Sequence, residues 1–282
     1  MAFTTGLTIQ RLGKIHPSNF VKFASTIGLN HIEFDSSVFN DFEDVKKELR
    51  AKQTVIHAPY LEDYGFDLSS NKTEADTFIH KLIRAKDDLN IIGVVVHPPI
   101  DAGGSLDKFY ERIEKIPFPL LENMPYQSWT DFEEFFENTQ ANVSNNLGFC
   151  FDIPHSWITN GDRFLDLPKL CLDLLQKPSG YIHISGSTKN EDMHYPLLTN
   201  GDIPLKKVKQ FLDEINFTGT ITMELAPRSL EDIELILQSY MIMLSFAGKT
   251  KHRLKVRFKS PFIKRKINQL SEKVDSTTFK RP

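Results

Sequence analysis

The sequence predicts an α/β fold: a single-domain (β/α)8 TIM barrel over residues 1–247, followed by a basic C-terminal extension over residues 248–282. Three observations predict it. Eight short β-rich runs recur along residues 1–246, helical patterns separate most of them, and roughly 250 residues is the expected size of eight such units closed on themselves. A doubly wound open sheet is the competing arrangement. It gains no support, because the chain has neither a G-x-G-x-x-G turn nor a P-loop.

In chain order, GLTIQ (6–10) reads as the first strand, and Pro17 and Gly28 frame the helix PSNFVKFASTIG behind it. HIEFD (31–35) and TVIHAPY (54–60) are the next two strands. TEADTFIHKLIRAKDDLN (73–90) carries apolar residues at helical spacing and leads to the strand IGVVVHPP (92–99). FPLLENM (118–124) precedes the helix DFEEFFENTQANV, and LGFCFDIPH (147–155) precedes the helix LPKLCLDLLQK. YIHISGS (181–187), the helix PLKKVKQFLDEIN, GTITMELAP (219–227) and the helix SLEDIELILQSYMIML complete the alternation. Beyond Gly248 the apolar periodicity fades. The extension therefore reads as a partly disordered appendage with a short helix around Ile263–Lys273.

With 282 residues, 40% of them hydrophobic, the chain is long enough to bury a large core. Its two cysteines, Cys150 and Cys171, sit in apolar surroundings, which indicates neither a disulfide framework nor a thiolate zinc site and suits a reducing cytoplasm. No apolar run approaches the ~20 residues of a membrane-spanning helix, and the N-terminus lacks the order of a signal peptide. A cytoplasmic protein with no membrane partner is the expectation.

The net charge of −3 hides an asymmetry: residues 249–282 hold twelve Lys or Arg against two acids, a net +10, while the remaining 22 basic and 35 acidic residues leave −13. The acidic body argues against a surface that coats nucleic acid generally. The tail is the part expected to bind polyanions or the acidic body itself.

In a barrel the C-terminal ends of the strands face one rim, where the chemistry is done. Read in order, those ends carry His57, His97, Glu122, Asp152 with His155, His183 and Glu224, and the loop after the seventh strand adds Asp192 and His194. Each is a metal-ligand type. Singly, Asp152 reads as a helix cap and His155 as a hydrogen-bonded loop histidine. Together they read otherwise, because such groups are costly to bury unpaired and propensity alone does not end apolar strands this way repeatedly. A shared cation cluster explains them all. Imidazole and carboxylate without thiolate suit Zn²⁺, Mn²⁺ or Fe²⁺ better than Ca²⁺ or Mg²⁺, with Zn²⁺ preferred. Nine donors are too many for one ion of about four to six coordination and fit two or three ions with a carboxylate bridge.

The stretches VIHAPY, VVVHPP, LLEN, GFCFDIPHSWITNGD, IHISGS with the following DMH, and ITMEL resemble the successive metal motifs of the xylose-isomerase-like barrel superfamily. The resemblance is closest to its endonuclease IV branch, the family 2 AP endonucleases, and covers nearly all of residues 1–246. Asp152, His155, Gly161 and Asp162 in one stretch, and the D-x-H of Asp192 and His194, are its most specific parts. It implies three metal positions. His57 and His97 would hold the first ion and share Glu122 with the second; Asp152, His183 and Glu224 would complete the second; His155, Asp192 and His194 would hold the third. The activity implied is metal-dependent phosphodiester hydrolysis, with water as nucleophile and abasic-site DNA as substrate.

Several loops differ from that branch. ENMPYQSWTDF replaces a glycine-rich loop after Glu122, Pro98, Pro99 and Ile100 follow His97, and no Lys directly follows the serine-rich turn after His183. Intact metal motifs beside altered loops also suit a small nucleotide-like phosphodiester, such as a corrinoid's lower loop. A sugar isomerase or epimerase is the main rival: it needs one ion, on Glu122, Asp152, His183 and Glu224, with Glu122 and Glu224 as the catalytic pair that exchanges protons with a ketose. The surplus ligands His57, His97, Asp192 and His194 favour the hydrolase, and they also weigh against a catalytically dead binding barrel. Tyr60, Tyr64, Trp129 and Trp157 are expected in mouth-side loops, Gly201 and Asp202 form an ordinary helix start, and Cys150 shares the parity of Asp152 and so points into the barrel.

Overall fold

The computed structural model describes residues 3–9, 17–198, 201–226 and 230–271. Its strands are β1 (Thr4–Ile9), β2 (His31–Asp35), β3 (Gln53–His57), β4 (Asn90–Val96), β5 (Pro119–Glu122), β6 (Gly148–Asp152), β7 (Tyr181–Ile184), β8 (Gly186–Thr188), β9 (Glu191–Tyr195) and β10 (Thr220–Met223). Its α-helices are α1 (Pro17–Ile27), α2 (Phe42–Leu49), α3 (Leu61–Tyr64), α4 (Thr73–Lys86), α5 (Leu106–Ile113), α6 (Trp129–Asn142), α7 (Ile153–Asn160), α8 (Lys169–Leu175), α9 (Leu205–Glu214), α10 (Leu230–Phe246) and α11 (Thr250–Ser271). Eight parallel strands close in the order β1-β10-β7-β6-β5-β4-β3-β2, while β8 and β9 pair antiparallel as a separate hairpin. This is the predicted (β/α)8 barrel.

Side chains alternate across each strand, so every second residue faces the barrel axis. Ile32, Phe34, Ile56, Phe149, Phe151, Ile182, Ile184, Ile221 and Met223 take the outer face and form one core with the helices. A much smaller inner cluster, Val55, Val95, Leu120, Cys150 and Tyr181, fills the barrel itself. The same parity carries His57, Glu122, Asp152 and His183 two residues further along β3, β5, β6 and β7. Cys150 lies inside, as its parity required.

The helices follow from amphipathic spacing. In α4, Ala75, Phe78, Ile79, Leu82 and Ala85 are buried on one face, Glu74 and Asp76 sit in the first turn, and Arg84 and Lys86 sit in the last, which complements the helix dipole. Trp129 is corrected from its expected place in the mouth. It starts α6 and packs its ring on Phe149 and Phe151 outside the barrel, at centroid distances of 6.4 and 6.2 Å. The buried Phe149 and Phe151 rings it packs on each contribute roughly 1.5–3 kcal/mol by removal from water.

Most predicted strands overran. LGFCFDIPH stops being a strand at Asp152, because α7 begins at Ile153. The short helices α2, α3 and α5 and the hairpin β8–β9 were not predicted; β9 (EDMHY) has too few apolar residues to show a pattern. Gln10, Pro227 and Ser229 of the predicted elements lie outside the described residues.

The tail reading is corrected for residues 250–271, which form the continuous helix α11. Val256 and Ile263 are buried, the His252 imidazole donates to the Ile27 carbonyl at 3.1 Å, and its ring meets Tyr240 edge-on. These contacts sit at helical spacing among basic residues, which hid them. The rest of the expected disorder, over residues 272–282, lies outside the described residues. No helix among the described residues is long and apolar enough to cross a membrane.

One close approach fixes the barrel interior. Gly6 of β1 pairs with His31 of β2, and a Cβ at Gly6 would stand 2.0 Å from the His31 ring, which is itself wholly buried. Gly6→Ala is expected to destabilise the chain by about 1–3 kcal/mol through overpacking, measured as a lower urea midpoint at unchanged slope. An unchanged midpoint would show that the His31 ring yields freely.

Candidate metal centre

The ends of β3, β5, β6 and β7 and the segments just beyond β4 and β10 build one rim. At the end of β3, the His57 Nδ1–H donates to the Ala58 carbonyl at 3.0 Å, which turns Nε2 toward Glu122 Oε2 at 3.7 Å and Glu224 Oε1 at 4.0 Å. His97, after β4, places Nε2 2.5 Å from Glu122 Oε2. The other Glu122 oxygen lies 2.7 Å from His183 Nδ1, which also faces Glu224 Oε2 at 3.2 Å and Asp152 Oδ2 at 3.8 Å.

Asp152 is both a cap and something more. Its Oδ1 accepts the His155 backbone N–H at 2.5 Å and starts α7, while its Oδ2 is buried without a hydrogen-bond partner. Asn123 stitches the neighbouring strand ends: its Oδ1 accepts from the Asp152 N–H at 2.9 Å and its amide donates to the Asp152 carbonyl at 3.0 Å. The Asn123 carbonyl takes the His155 Nδ1–H at 2.8 Å, so His155 Nε2 is left facing Asp192 Oδ2 at 3.1 Å. His194 Nε2 meets the same Asp192 oxygen at 2.9 Å. Both residues come from β9, and His194 adopts a left-handed φ of 48°, a strained backbone for a non-glycine residue. The other Asp192 oxygen accepts from the Ser187 hydroxyl at 2.9 Å.

Burial opposes charge at every one of these groups, and the partners decide the outcome. At His57 the burial is outweighed by Glu122, Glu224 and Glu33, which push its pKa up to about 9. His155 and His183 are driven well up despite burial, by Asp152 and Asp192 for the first and by Glu33 and Glu122 for the second. His97 is lowered, because burial outweighs Glu122. Burial would raise Glu224, yet His194 and His183 hold it near 2. Asp152 goes the other way: burial first, then repulsion from Glu122, Asp192 and Glu224, push it up to about 8.

The donor set fits divalent ions. Two donors on one ion at bonds of about 2 Å stand roughly 3–3.5 Å apart, and the pairs above bracket that value. The set His57, His97 and Glu122 and the set Glu122, Asp152, His183 and Glu224 each present atoms within 4.8 Å of one another. Asp152 Oδ2, buried and unbonded, is the oxygen a cation would satisfy. A cleft of about 230 Å³ opens above, lined by His57, His97, Glu122, His155, Asp192, His194 and Glu224 together with Tyr60, Ile100 and Met124. All nine expected ligands thus lie in or just beneath one cleft.

Other expected residues fall elsewhere. Asp162 is exposed and pairs with Lys189 at 3.5 Å, outside the cluster. Trp157 packs on Phe164 and donates its indole N–H to Asp202, so neither it nor the Gly201–Asp202 turn faces the cleft as a binding element. Tyr64 donates to Asp35 at 2.8 Å.

Glu33 was missed. It is wholly buried and accepts from His183 Nε2–H at 2.8 Å and from the Tyr181 hydroxyl at 2.6 Å, which holds the imidazole with Nδ1 toward the cluster. Its signal was a carboxylate inside the apolar strand HIEFD, sharing its parity with the ligands of the other strands.

The sequence matches the family model described as xylose isomerase-like TIM barrel over residues 21–243. No curated protein sequence matches significantly. Among solved structures, a family 2 AP endonuclease from Brucella melitensis superposes with a TM-score of 0.54 at 14% identity, over 81% of this chain and 94% of its own. A 3-keto-D-glucoside 4-epimerase from E. coli gives 0.60 at 15% identity, over 88% and 99%. A probable 3-DHS dehydratase from Bacillus anthracis gives 0.59 at 16% identity, over 86% and 99%. These likenesses concern the fold.

His57 and Asp152 both bind a proton more tightly in the folded chain than in the unfolded one. Their contribution to stability is therefore complete below their unfolded pKa values and is lost as pH rises through about 8 to about 9. Metal-stripped protein is expected to lose urea resistance progressively between about pH 4 and about pH 9, most steeply between about 6.5 and about 8 where both groups contribute, and a divalent cation to suppress that loss by replacing the protons. A stripped protein with a flat profile across that window would contradict these environments.

Proposed function

The chain belongs to the xylose isomerase-like TIM barrel family, and from that premise we propose a metal-dependent phosphodiester hydrolase whose nine clustered side chains hold up to three divalent ions, Zn²⁺ preferred. One observation carries the reading. Around the four-residue set Glu122, Asp152, His183 and Glu224, which alone would suffice for one ion, stand His57 and His97, grouped with Glu122, and Asp192 with His155 and His194 at 3.1 and 2.9 Å. Two further donor groups are the surplus that a multi-ion hydrolase uses and a single-ion isomerase does not.

When bound, adjacent divalent ions would lower the pKa of a water, neutralise phosphodiester charge and stabilise the departing oxygen, each lowering the barrier by several kcal/mol. The chain's own residues set the stage for that chemistry. Glu122 offers one oxygen to the His57 and His97 side and the other to the His183 side, so it is the natural bridge. Glu33, Asn123 and Ser187 fix His183, His155 and Asp192 by hydrogen bonds from behind. Tyr60, Ile100 and Met124 wall the cleft and limit what enters it. Abasic-site DNA is the first substrate to try, with a small nucleotide-like phosphodiester next.

A second reading has its own observation. The described residues that line the cleft include no Lys or Arg, and about 230 Å³ lies below the usual range of ligand pockets, which suits a small neutral sugar. In that reading Glu122 and Glu224 are the catalytic proton carriers of an isomerase or epimerase on one ion.

Metal analysis with assays on abasic-site DNA, a generic phosphodiester and a ketose panel separates the two. About three ions with phosphodiester turnover supports the hydrolase; one ion with ketose turnover overturns it. His57→Ala is expected to cost about one ion and on the order of a hundredfold in hydrolysis. Glu33→Ala is expected to weaken metal affinity by about 10–100-fold, read by competition with a chromogenic chelator, because His183 loses the acceptor that orients it. Unchanged affinity would assign Glu33 to packing alone.

A further inference from the structure

The helix α11 carries eight Lys or Arg and no Asp or Glu along its 22 residues. With His252, Val256 and Ile263 turned to the body, the opposite side bears Leu254 (48% exposed), Phe258 (84%) and Phe262 (56%) at four-residue steps. Lys251 and Lys255 precede Phe258 by seven and three positions and Arg265 follows it by seven, so basic residues share the face of the apolar ones. No ion pair joins Lys251, Lys255 or Lys259 to an acid among the described residues. These three lysines, about 6 Å apart along the axis, line a groove of about 420 Å³ against Ser25, Thr26 and Gly28 at the end of α1.

We propose that α11 and this groove form a docking surface for single-stranded nucleic acid, separate from the metal centre. Three features choose that occupant. The lysine row is unneutralised and matches a phosphate backbone in charge, while the −13 body repels polyanions and leaves α11 as the attractive part. Phe258 presents a bare ring on which an unpaired base stacks. A lipid surface fits less well: an interfacial helix keeps its apolar face free of charge, and here lysines and an arginine interrupt that face. The inference goes beyond the hydrolase reading, because binding at α11 needs neither metal nor turnover.

Fluorescence anisotropy of the full chain with an undamaged single-stranded oligonucleotide of about 30 residues, from about 50 to about 200 mM salt, tests it. Wild type is expected to show log K falling linearly with log salt. The triple variant Lys251→Gln, Lys255→Gln, Lys259→Gln is expected to make that slope shallower by about 2. Phe258→Ala is expected to weaken binding roughly tenfold at an unchanged slope. All substituted side chains are exposed, and circular dichroism checks the fold. A triple variant with the wild-type slope, or a wild type that binds anionic vesicles and not the oligonucleotide, overturns the proposal. A wild type that binds the oligonucleotide in this way and hydrolyses no phosphodiester would support this proposal and count against the metal-centre reading alone.

Discussion

Too much negative charge for its surroundings is the condition on which this barrel turns. Glu33, Glu122 and Asp152 are essentially inaccessible, and Asp192 and Glu224 are mostly so. An isolated buried carboxylate costs several kcal/mol even after relaxation. Five imidazoles repay part of that, and the raised pKa of Asp152, about 8, marks the part they leave over. Further positive charge must come from protons or from cations, and a cation is the partner that also satisfies Asp152 Oδ2.

The fold delivers this crowding through the two-residue period of its strands. Beneath each ligand on β5, β6 and β7 lies a residue of the same face, namely Leu120, Cys150 and Tyr181, so the cluster rests on a packed floor. Below and beside it runs a second polar network: Glu33 takes the Tyr181 hydroxyl, and His31 Nε2 reaches both Tyr181 and Thr222 at 2.9 Å. Burial lowers the His31 pKa to about 4, so this imidazole stays neutral and adds no charge to the cluster above it. The Cys150 thiol, pushed well up by burial, lies 3.8 Å from a Glu122 oxygen and behaves as a small hydrophobe of the floor.

What the sequence made legible is what periodicity encodes. Eight apolar runs gave the barrel, and polar residues breaking those runs at their ends gave the ligands, because burial makes such breaks conspicuous. Asp192 and His194 were legible as ligand types in the loop after the seventh strand and as a D-x-H pair, although β9 itself has no apolar pattern. Glu33 escaped because it breaks its strand in the middle rather than at the end. Trp129 was misplaced because a ring just after a strand looks the same whether the chain turns inward or outward; only the helix that begins there decides. In α11 the contacts of His252, Val256 and Ile263 were diluted by basic neighbours, and a weak apolar stripe docked on a large body needs no strong pattern of its own.

The cleft's own charge sets the order in which its parts act. Its described lining includes Glu62, Asp63 and Asp67 in addition to the clustered carboxylates, and no Lys or Arg. Asp67 is already satisfied: burial would raise it, but Ser69 and the N–H groups of Ile100 and Asp101 hold it low and ionised. An anionic substrate approaching the bare chain would meet carboxylate on every side, so for a phosphodiester the cations must be in place before binding as well as before chemistry. A neutral sugar carries no such requirement. Substrate charge and metal number are therefore one question at this site: the side chains that make it hospitable to several cations are the same ones that close it to an anion in their absence.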